Sequence, residues 1–182
     1  MLPKLRILDE KNKMLKIVSK EVSFPLSPKD KQMIADSLKY LEMSQIEEYS
    51  KKYNLRPGMG LAFIQLGVPK RIFVVVDEVA EGKFDKYVII NPRIISHSEE
   101  MIYVEEGEGC LSVNRPVDGI VPRYARMKIE AEDENGDTYT YRLREDLSVA
   151  FQHEMDHLDG ILFVDKIDAK NPFKNKDRMR AI

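Results

Sequence analysis

Two different hydrophobic periods divide this chain. Between residues 27 and 52 the apolar residues recur at roughly helical spacing, which predicts one helix. Ser27 is a suitable N-cap for it, and Pro28 suits the first helical position. Pro57 and Gly58 then break the pattern. Beyond them, short segments rich in β-branched and aromatic residues predict strands at 71–76, 87–90, 101–105, 127–131 and 138–143.

A second helix is predicted over residues 147–158, after the last of these strands. Asp146 is a suitable N-cap for it, and Gly160 is placed to end it. Asn135-Gly136 predicts a hairpin between the last two strands. The order of helix, strands and helix lacks the alternation of a parallel α/β fold. We therefore expect an α+β fold in which antiparallel β-sheets pack around a central C-terminal helix, with another helix near the N-terminus.

Length, composition and charge narrow the class of protein. The 182 residues suit a single domain spanning 1–182, and a hydrophobic content of 43% is enough for its core. The 29 basic and 31 acidic residues nearly cancel, so the chain as a whole does not resemble a nucleic-acid or membrane binder. No apolar run is long enough to span a membrane, and the N-terminus lacks a signal-peptide pattern. With a single cysteine, these features favour a cytoplasmic protein. One domain with no obvious spare apolar surface is compatible with a monomer.

The second predicted helix contains an H-E-x-x-H motif, His153-Glu154-Met155-Asp156-His157. Residues four apart lie on one face of a helix, so both imidazoles can bind one metal ion with Glu154 beside it. A catalytic site of this kind needs one further protein ligand. The extended zincin motif would place a histidine where this chain has Phe163, and no glutamate follows Glu154. The common metalloprotease patterns therefore fail.

Two upstream residues are candidates for the third ligand. His97 lies in a polar stretch, 96–100, that is typical of a solvated turn. Cys110 lies between two predicted strands and follows Gly109, whose missing side chain lets the backbone approach an ion closely. Each also has an ordinary interpretation, a surface histidine and a small buried hydrophobe. These residues taken alone leave the third ligand open.

Three motifs resemble those of peptide deformylases, which remove the formyl group from new bacterial polypeptides. They are GMGLAFIQ at 58–65, EGCLS at 108–112 and QHEMDHL at 152–158, in the order typical of the family. The resemblance extends over about 58–163, the expected core of the catalytic domain. It implies that Cys110, His153 and His157 bind one divalent metal ion. That ion would be Fe(II) in the cell, with Zn, Ni or Co as alternatives.

The resemblance also implies catalytic roles in hydrolysis of the N-formyl group of formyl-methionine. Glu154 would act as general base, and the Leu111 N–H and the Gln65 side chain would stabilise the oxyanion. Gly60 would allow the backbone to lie close to the peptide substrate. The alternatives are a metal-binding homologue with altered catalysis and a zinc peptidase.

Three further expectations concern the surroundings of this site. Phe63 and Ile64 are larger than the residues usual in the family and are expected to reshape the substrate pocket. Glu108 would need a cation if buried, and Arg123 is the candidate. If the two residues form a pair, Glu108→Arg combined with Arg123→Glu is expected to restore the metal binding that Glu108→Arg alone loses. The tail 166–182 carries six Lys or Arg and two Asp. It is expected to be a solvated end, with ribosomal RNA contact as the alternative.

Overall fold

Two sheets and three α-helices make up the fold. The structure, a computed structural model, describes residues 1–182. The helices are α1 (Pro28–Gln45), α2 (Glu47–Tyr53) and α3 (Glu145–Leu158). The strands are β1 (Gly60–Ala62), β2 (Ile72–Ala80), β3 (Lys83–His97), β4 (Met101–Tyr103), β5 (Arg123–Tyr124), β6 (Arg126–Glu132), β7 (Thr138–Arg144) and β8 (Arg180–Ala181).

The larger sheet is antiparallel throughout, with the strand order β1-β2-β3-β6-β7. The smaller sheet has the order β5-β4-β8, and β8 lies parallel to β4. The hairpin predicted at Asn135-Gly136 joins β6 to β7, and Gly136 has the positive φ (84°) that such a turn requires. The predicted α+β fold is confirmed.

Helices cover the two faces of the large sheet. On one face α3 packs through Phe151, whose ring meets Phe73 of β2 edge-on at 5.4 Å between centroids. On the other face α1 packs through Ile34 and Leu41 against Val74 of the same strand. Burying one such side chain stabilises a fold by about 1.5–3 kcal/mol. Both faces of β2 are therefore core, which fixes α3 and the motif it carries against the sheet.

Two of the helix boundaries predicted from sequence need correction. The first helix does not run on to residue 52, because Ile46 is extended (φ −86°, ψ 117°) and separates α1 from α2. There the Gln45 side chain donates to the carbonyls of Gly58 and Val76 at 3.0 and 2.8 Å, which ties the helix end to the next loop and to β2. Asp146 is not an N-cap either. β7 leads directly into α3, and the Glu145 N–H donates to the Ala125 carbonyl at 3.0 Å.

One strand is longer than predicted, and the C-terminal tail is part of the fold. β3 continues to His97, so the supposed turn at 96–100 begins inside a strand. The tail folds back onto the body: β8 pairs with β4, and Arg180 forms ion pairs with Glu100 and Glu145. It is therefore not simply a solvated end. None of the helices is both long enough and apolar enough to cross a membrane.

Candidate metal centre

Three side chains from two distant segments converge at the open side of α3. His153 and His157 lie one helical turn apart and are 9% and 1% exposed. Cys110 comes from the loop between β4 and β5, and its Sγ lies 3.3 Å from Nε2 of His157. One ligand atom from each residue lies within 4.8 Å of the other two. His97, the other candidate, is not in this group; it stacks on Tyr124 at 3.7 Å.

A buried ion-pair network orients His153. Its Nδ1 donates to Oε2 of Glu108 at 3.0 Å, since a carboxylate can only accept, and this leaves Nε2 available as a ligand. Arg123, which is 1% exposed, donates two hydrogen bonds to the Glu108 carboxylate at 2.7 and 2.9 Å and one to Asp156 at 2.6 Å. The structure thus contains the pair that sequence suggested. Burial alone would raise the pKa of Glu108, but the bonds from Arg123 and His153 lower it to about 2.

The two histidines differ in their affinity for protons. Burial lowers the pKa of both imidazoles. At His157 the nearby cation His153 lowers it further, so the pKa of His157 lies well below the usual range. At His153 the bonds to Cys110 and Glu108 outweigh burial and raise the pKa well above it. Imidazoles bind metals in the neutral form. Binding of a cation at this site would therefore release a proton.

Two buried polar atoms in or beside the Cys-His-His cluster have no protein partner. They are Oε2 of Glu154 and Nδ1 of His157. Burial raises the pKa of Glu154 to about 7, and His153 and Arg123 only partly offset the effect. A buried unpaired carboxylate costs folding free energy, so something else normally compensates it. A thiolate, two imidazoles and an adjacent carboxylate together fit a divalent transition metal and a water.

The loop that carries Cys110 is held from two sides. Gln65 is 1% exposed; its Nε2 donates to Ser112 Oγ at 3.0 Å and approaches Cys110 Sγ at 3.6 Å. Arg56 donates to the carbonyls of Cys110, Leu111 and Val113 at 2.8–2.9 Å. The Leu111 N–H donates to no backbone or side-chain acceptor in the protein, so it is free to bind a ligand.

A cleft of about 520 Å³ opens onto this group, and Glu154, Cys110 and Gln65 all line it. Gly60 also lines it, directly against Glu154. Phe63 and Ile64 do not. Both are fully buried, in the cores beneath α1 and α3 respectively, because the helical turn at Phe63–Leu66 directs them inward. The expectation that they reshape the pocket is wrong.

Three residues of the site had no pattern by which sequence could reveal them. Arg56 donates to backbone carbonyls more than fifty positions away. Asp156, which accepts from Arg123, is at the second x of H-E-x-x-H, where the motif specifies no residue type. Ser112 lies inside the EGCLS motif, but nothing in the sequence indicates that its hydroxyl accepts from Gln65. The only clue to Ser112 is that the resemblance assigns Gln65 and Leu111, the residue before Ser112, to the same oxyanion.

An α+β fold with a Cys-His-His cluster and a buried carboxylate beside an open cleft defines a metal-dependent hydrolase. The family model described as polypeptide deformylase matches residues 4–173. Peptide deformylase from Oceanobacillus iheyensis is 47% identical over 152 residues, covering 84% of this chain and 83% of that protein. Peptide deformylase from Shouchella clausii is 45% identical over 169 residues, covering 92% of each.

A solved structure agrees with these sequence relatives. The Met-Ala-Ser-bound class I type b peptide deformylase from Acinetobacter baumannii superposes with a TM-score of 0.71 at 28% identity, covering 92% of this chain and all of that one (100%). The chain belongs to the polypeptide deformylase family, and it is a metal-dependent deformylase. The comparisons do not favour the peptidase and the altered homologue.

Proposed function

We propose that this enzyme removes the N-formyl group from the N-terminal formyl-methionine of newly made polypeptides. The observation that carries the proposal is the unpaired, buried carboxylate of Glu154 between the Cys-His-His cluster and the cleft. The A. baumannii relative is described as bound to Met-Ala-Ser, a peptide that begins with methionine. We further propose one catalytic domain over 1–182, with its core at about 58–163.

Cys110, His153 and His157 would hold one divalent cation, Fe(II) in the cell, with Zn, Ni or Co able to replace it. The mixed sulfur and nitrogen donors suit these borderline metals. When bound, the cation acts as a Lewis acid that makes water nucleophilic near neutral pH. Glu108 keeps His153 in the required tautomer through its bond to Nδ1.

Glu154 would be the proton carrier of the reaction. Its carboxylate takes the proton from the attacking water as the oxygen bonds to the formyl carbon. When the C–N bond breaks, Glu154 returns that proton to the departing amine, and formate and a free N-terminal amine remain. Burial, which raises the pKa of Glu154 in the metal-free site, favours the protonated form through which this carboxylate must pass.

Gln65 and Leu111 would stabilise the oxyanion that forms on the formyl oxygen. The Leu111 N–H has no acceptor within the protein, and the Gln65 amide is fixed because its Oε1 accepts from the Ala62 N–H at 2.9 Å. Donors held in place in this way need no reorganisation during the reaction. Gly60 would border the peptide on the other side of the cleft.

We also propose that the enzyme is a cytoplasmic monomer that acts on nascent chains. Three tail cations, Lys170, Lys176 and Arg178, form no ion pair, so they could contact ribosomal RNA. Neutralising these three should reduce co-sedimentation with ribosomes at low salt. Neutralising the ion-paired Lys174 should change it less.

The decisive assay is turnover of formyl-Met peptides after anaerobic reconstitution with Fe(II). Release of formate with an intact peptide backbone is the expected result. Acetyl-Met peptides should be poor substrates, since the acetyl methyl group occupies space that the formyl hydrogen leaves free. Cleavage of an internal peptide bond, or metal binding with no turnover, would overturn the proposal.

A further inference from the structure

The cleft beside the metal centre reaches a carboxylate that no cation of the protein neutralises. Asp146, Ala150 and Glu154 are spaced four residues apart in α3, so they lie on one face of the helix, and all three line the cleft. Asp146 is exposed and forms no ion pair, whereas its neighbour Glu145 pairs with Arg180. A free negative charge therefore stands at the end of the cleft where α3 begins.

The other charged side chains that line the cleft are already engaged. Glu108 accepts from His153, which belongs to the Cys-His-His cluster, and Arg56 donates to backbone carbonyls. Glu154 is the proposed general base, and its Oε2 has no partner although the residue is only 3% exposed. That buried, unpaired oxygen is independent evidence that a ligand enters the cleft. Asp146 is the remaining charge with which such a ligand can pair.

Two further carboxylates lie behind Asp146. Asp77 of β2 is directly opposite Asp85 of β3, and neither forms an ion pair. Val75, two residues before Asp77, is buried in the α3 core, so alternation places Asp77 on the face of the sheet that α3 covers. Burial raises the pKa of Asp77, and the charges of Asp85 and Asp146 raise it further, because the three carboxylates lie close together. Like charges opposite each other destabilise a sheet, so a cation at this end of the cleft would relieve repulsion.

The length of the cleft indicates which residue of a peptide would meet Asp146. Asp146 precedes Glu154 by eight residues, which is about 12 Å along the helix axis. An extended peptide advances about 3.3 Å per residue, so its third residue lies roughly 10 Å from its formyl group. The first and third side chains of such a peptide point to the same side. With the formyl group at Glu154 and the methionine side chain beside Ala150, the third side chain reaches Asp146.

We propose that Asp146 selects nascent peptides that carry lysine or arginine as their third residue, an inference that rests on the proposed deformylation of formyl-Met peptides. A cationic side chain there pairs with Asp146, and Asp77 and Asp85 add to the attraction. An acidic side chain at the same position is repelled. Because exposed ion pairs are weak and are screened by salt, the effect is a preference among substrates and not an absolute requirement.

The test is hydrolysis of formyl-Met-Ala-X-Ala peptides, with Lys, Gln or Glu at X, by the Fe(II)-loaded enzyme. At low salt, kcat/KM for the lysine peptide should exceed that for the glutamine peptide by about two- to fivefold, and the glutamate peptide should be the poorest substrate. The difference should appear in KM, because Asp146 lies two helical turns from the reacting carbon, and it should shrink in about 0.5 M salt. Lysine at the second residue, whose side chain points to the other side, should give a smaller preference.

Asp146→Asn should bring the ratio of kcat/KM between the lysine and glutamine peptides close to one. Asp137→Asn is the matched control, since Asp137 is an exposed, unpaired aspartate in the hairpin between β6 and β7, and it should keep the wild-type ratio. A preference for lysine that persists in Asp146→Asn would overturn the proposal, as would equal kcat/KM for the three peptides in the wild type.

A purely structural role gives a different result. Asp146→Asn would then lower the melting temperature and reduce kcat/KM for all three peptides by one factor, and the unchanged ratio would overturn the proposal. Equal turnover of the three peptides by the wild type would leave the proposed deformylase function intact. Absence of turnover with every peptide would overturn that function and this inference together.

Discussion

Gly60 lies directly against the carboxylate of Glu154. A Cβ atom at position 60 would be 2.7 Å from Cγ and Cδ of Glu154 and closer still to its Oε1. Glu154 is 3% exposed, so it has little room to move aside. The sequence suggested that this glycine makes space for the substrate. In the folded protein it already makes space for the carboxylate of Glu154.

Gly60→Ala should therefore impair catalysis by displacing Glu154. We expect kcat/KM for a formyl-Met peptide to fall by about 10²–10⁴-fold, the usual worth of general-base assistance, with the metal content unchanged. Wild-type turnover by metal-loaded Gly60→Ala would show that the contact with Glu154 does not limit catalysis.

Glu154→Gln keeps the shape of the side chain but removes the base. With Cys110, His153 and His157 intact, metal analysis should give the wild-type ratio of metal to protein, while kcat falls by about 10²–10⁴-fold. Glu106→Gln, in the loop before Cys110, controls for the change in charge. Loss of metal from Glu154→Gln would mean that this carboxylate helps to bind the ion.

Glu108→Gln should weaken metal binding by about 10–100-fold, since it replaces the charged acceptor that orients His153 by a neutral and weaker one. Titration with Zn(II) against a chelator measures this. The structure also revises the expectation for the reversed pair. Glu108→Arg with Arg123→Glu should not restore affinity, because the new arginine would face His153 and the new glutamate would face Asp156. Full rescue would show that the two residues act as an isolated pair.

Arg56→Gln should lower kcat by about 10–100-fold with little change in KM. The carbonyl of Cys110 and the N–H of Leu111 belong to one peptide unit, so a cation on the carbonyl strengthens the N–H as a donor to the oxyanion. Arg115→Gln, an exposed arginine paired with Glu10, is the control. A change confined to KM would assign Arg56 to peptide binding instead.

Asp30 should make stability depend on acid pH. Burial raises its pKa, but the bonds from Lys70 and Ser27 outweigh burial and hold the pKa below its usual value of 3.8. A lowered folded pKa means that the stabilisation is present above pH about 4 and disappears as the pH falls through the folded pKa. The difference in free energy of unfolding between wild type and Asp30→Asn should therefore shrink from pH 6 towards pH 3 in urea titrations. A difference that stays constant or grows towards pH 3 would contradict this.

How far sequence could predict the site depended on the range of the interactions. The face shared by His153, Glu154 and His157 follows from helical periodicity, which is local. The approach of Cys110, more than forty residues away, came only from resemblance to a family. Arg56 acts entirely on backbone carbonyls, which have no sequence signature.

The predicted fold failed where tertiary contacts overrode local preference. No glycine or proline marks Ile46, so nothing in the sequence announces the break between α1 and α2; the bonds of Gln45 to Gly58 and Val76 accompany it. Phe63 and Ile64 follow a glycine-rich loop, which suggested exposure to substrate. A single turn of 3₁₀-helix reverses their direction and buries both.

The pairing of β8 with β4 has a consequence for the order of events during synthesis. Arg180 and Ala181 lie beside Ile102 and Tyr103, just ahead of the loop that carries Cys110. All three metal-site side chains are thus made well before the strand that completes the small sheet. The enzyme would act on chains still emerging from the ribosome, yet its own small sheet can close only after residue 181 has been translated. Affinity tags belong at Met1, which is fully exposed, rather than next to that last strand.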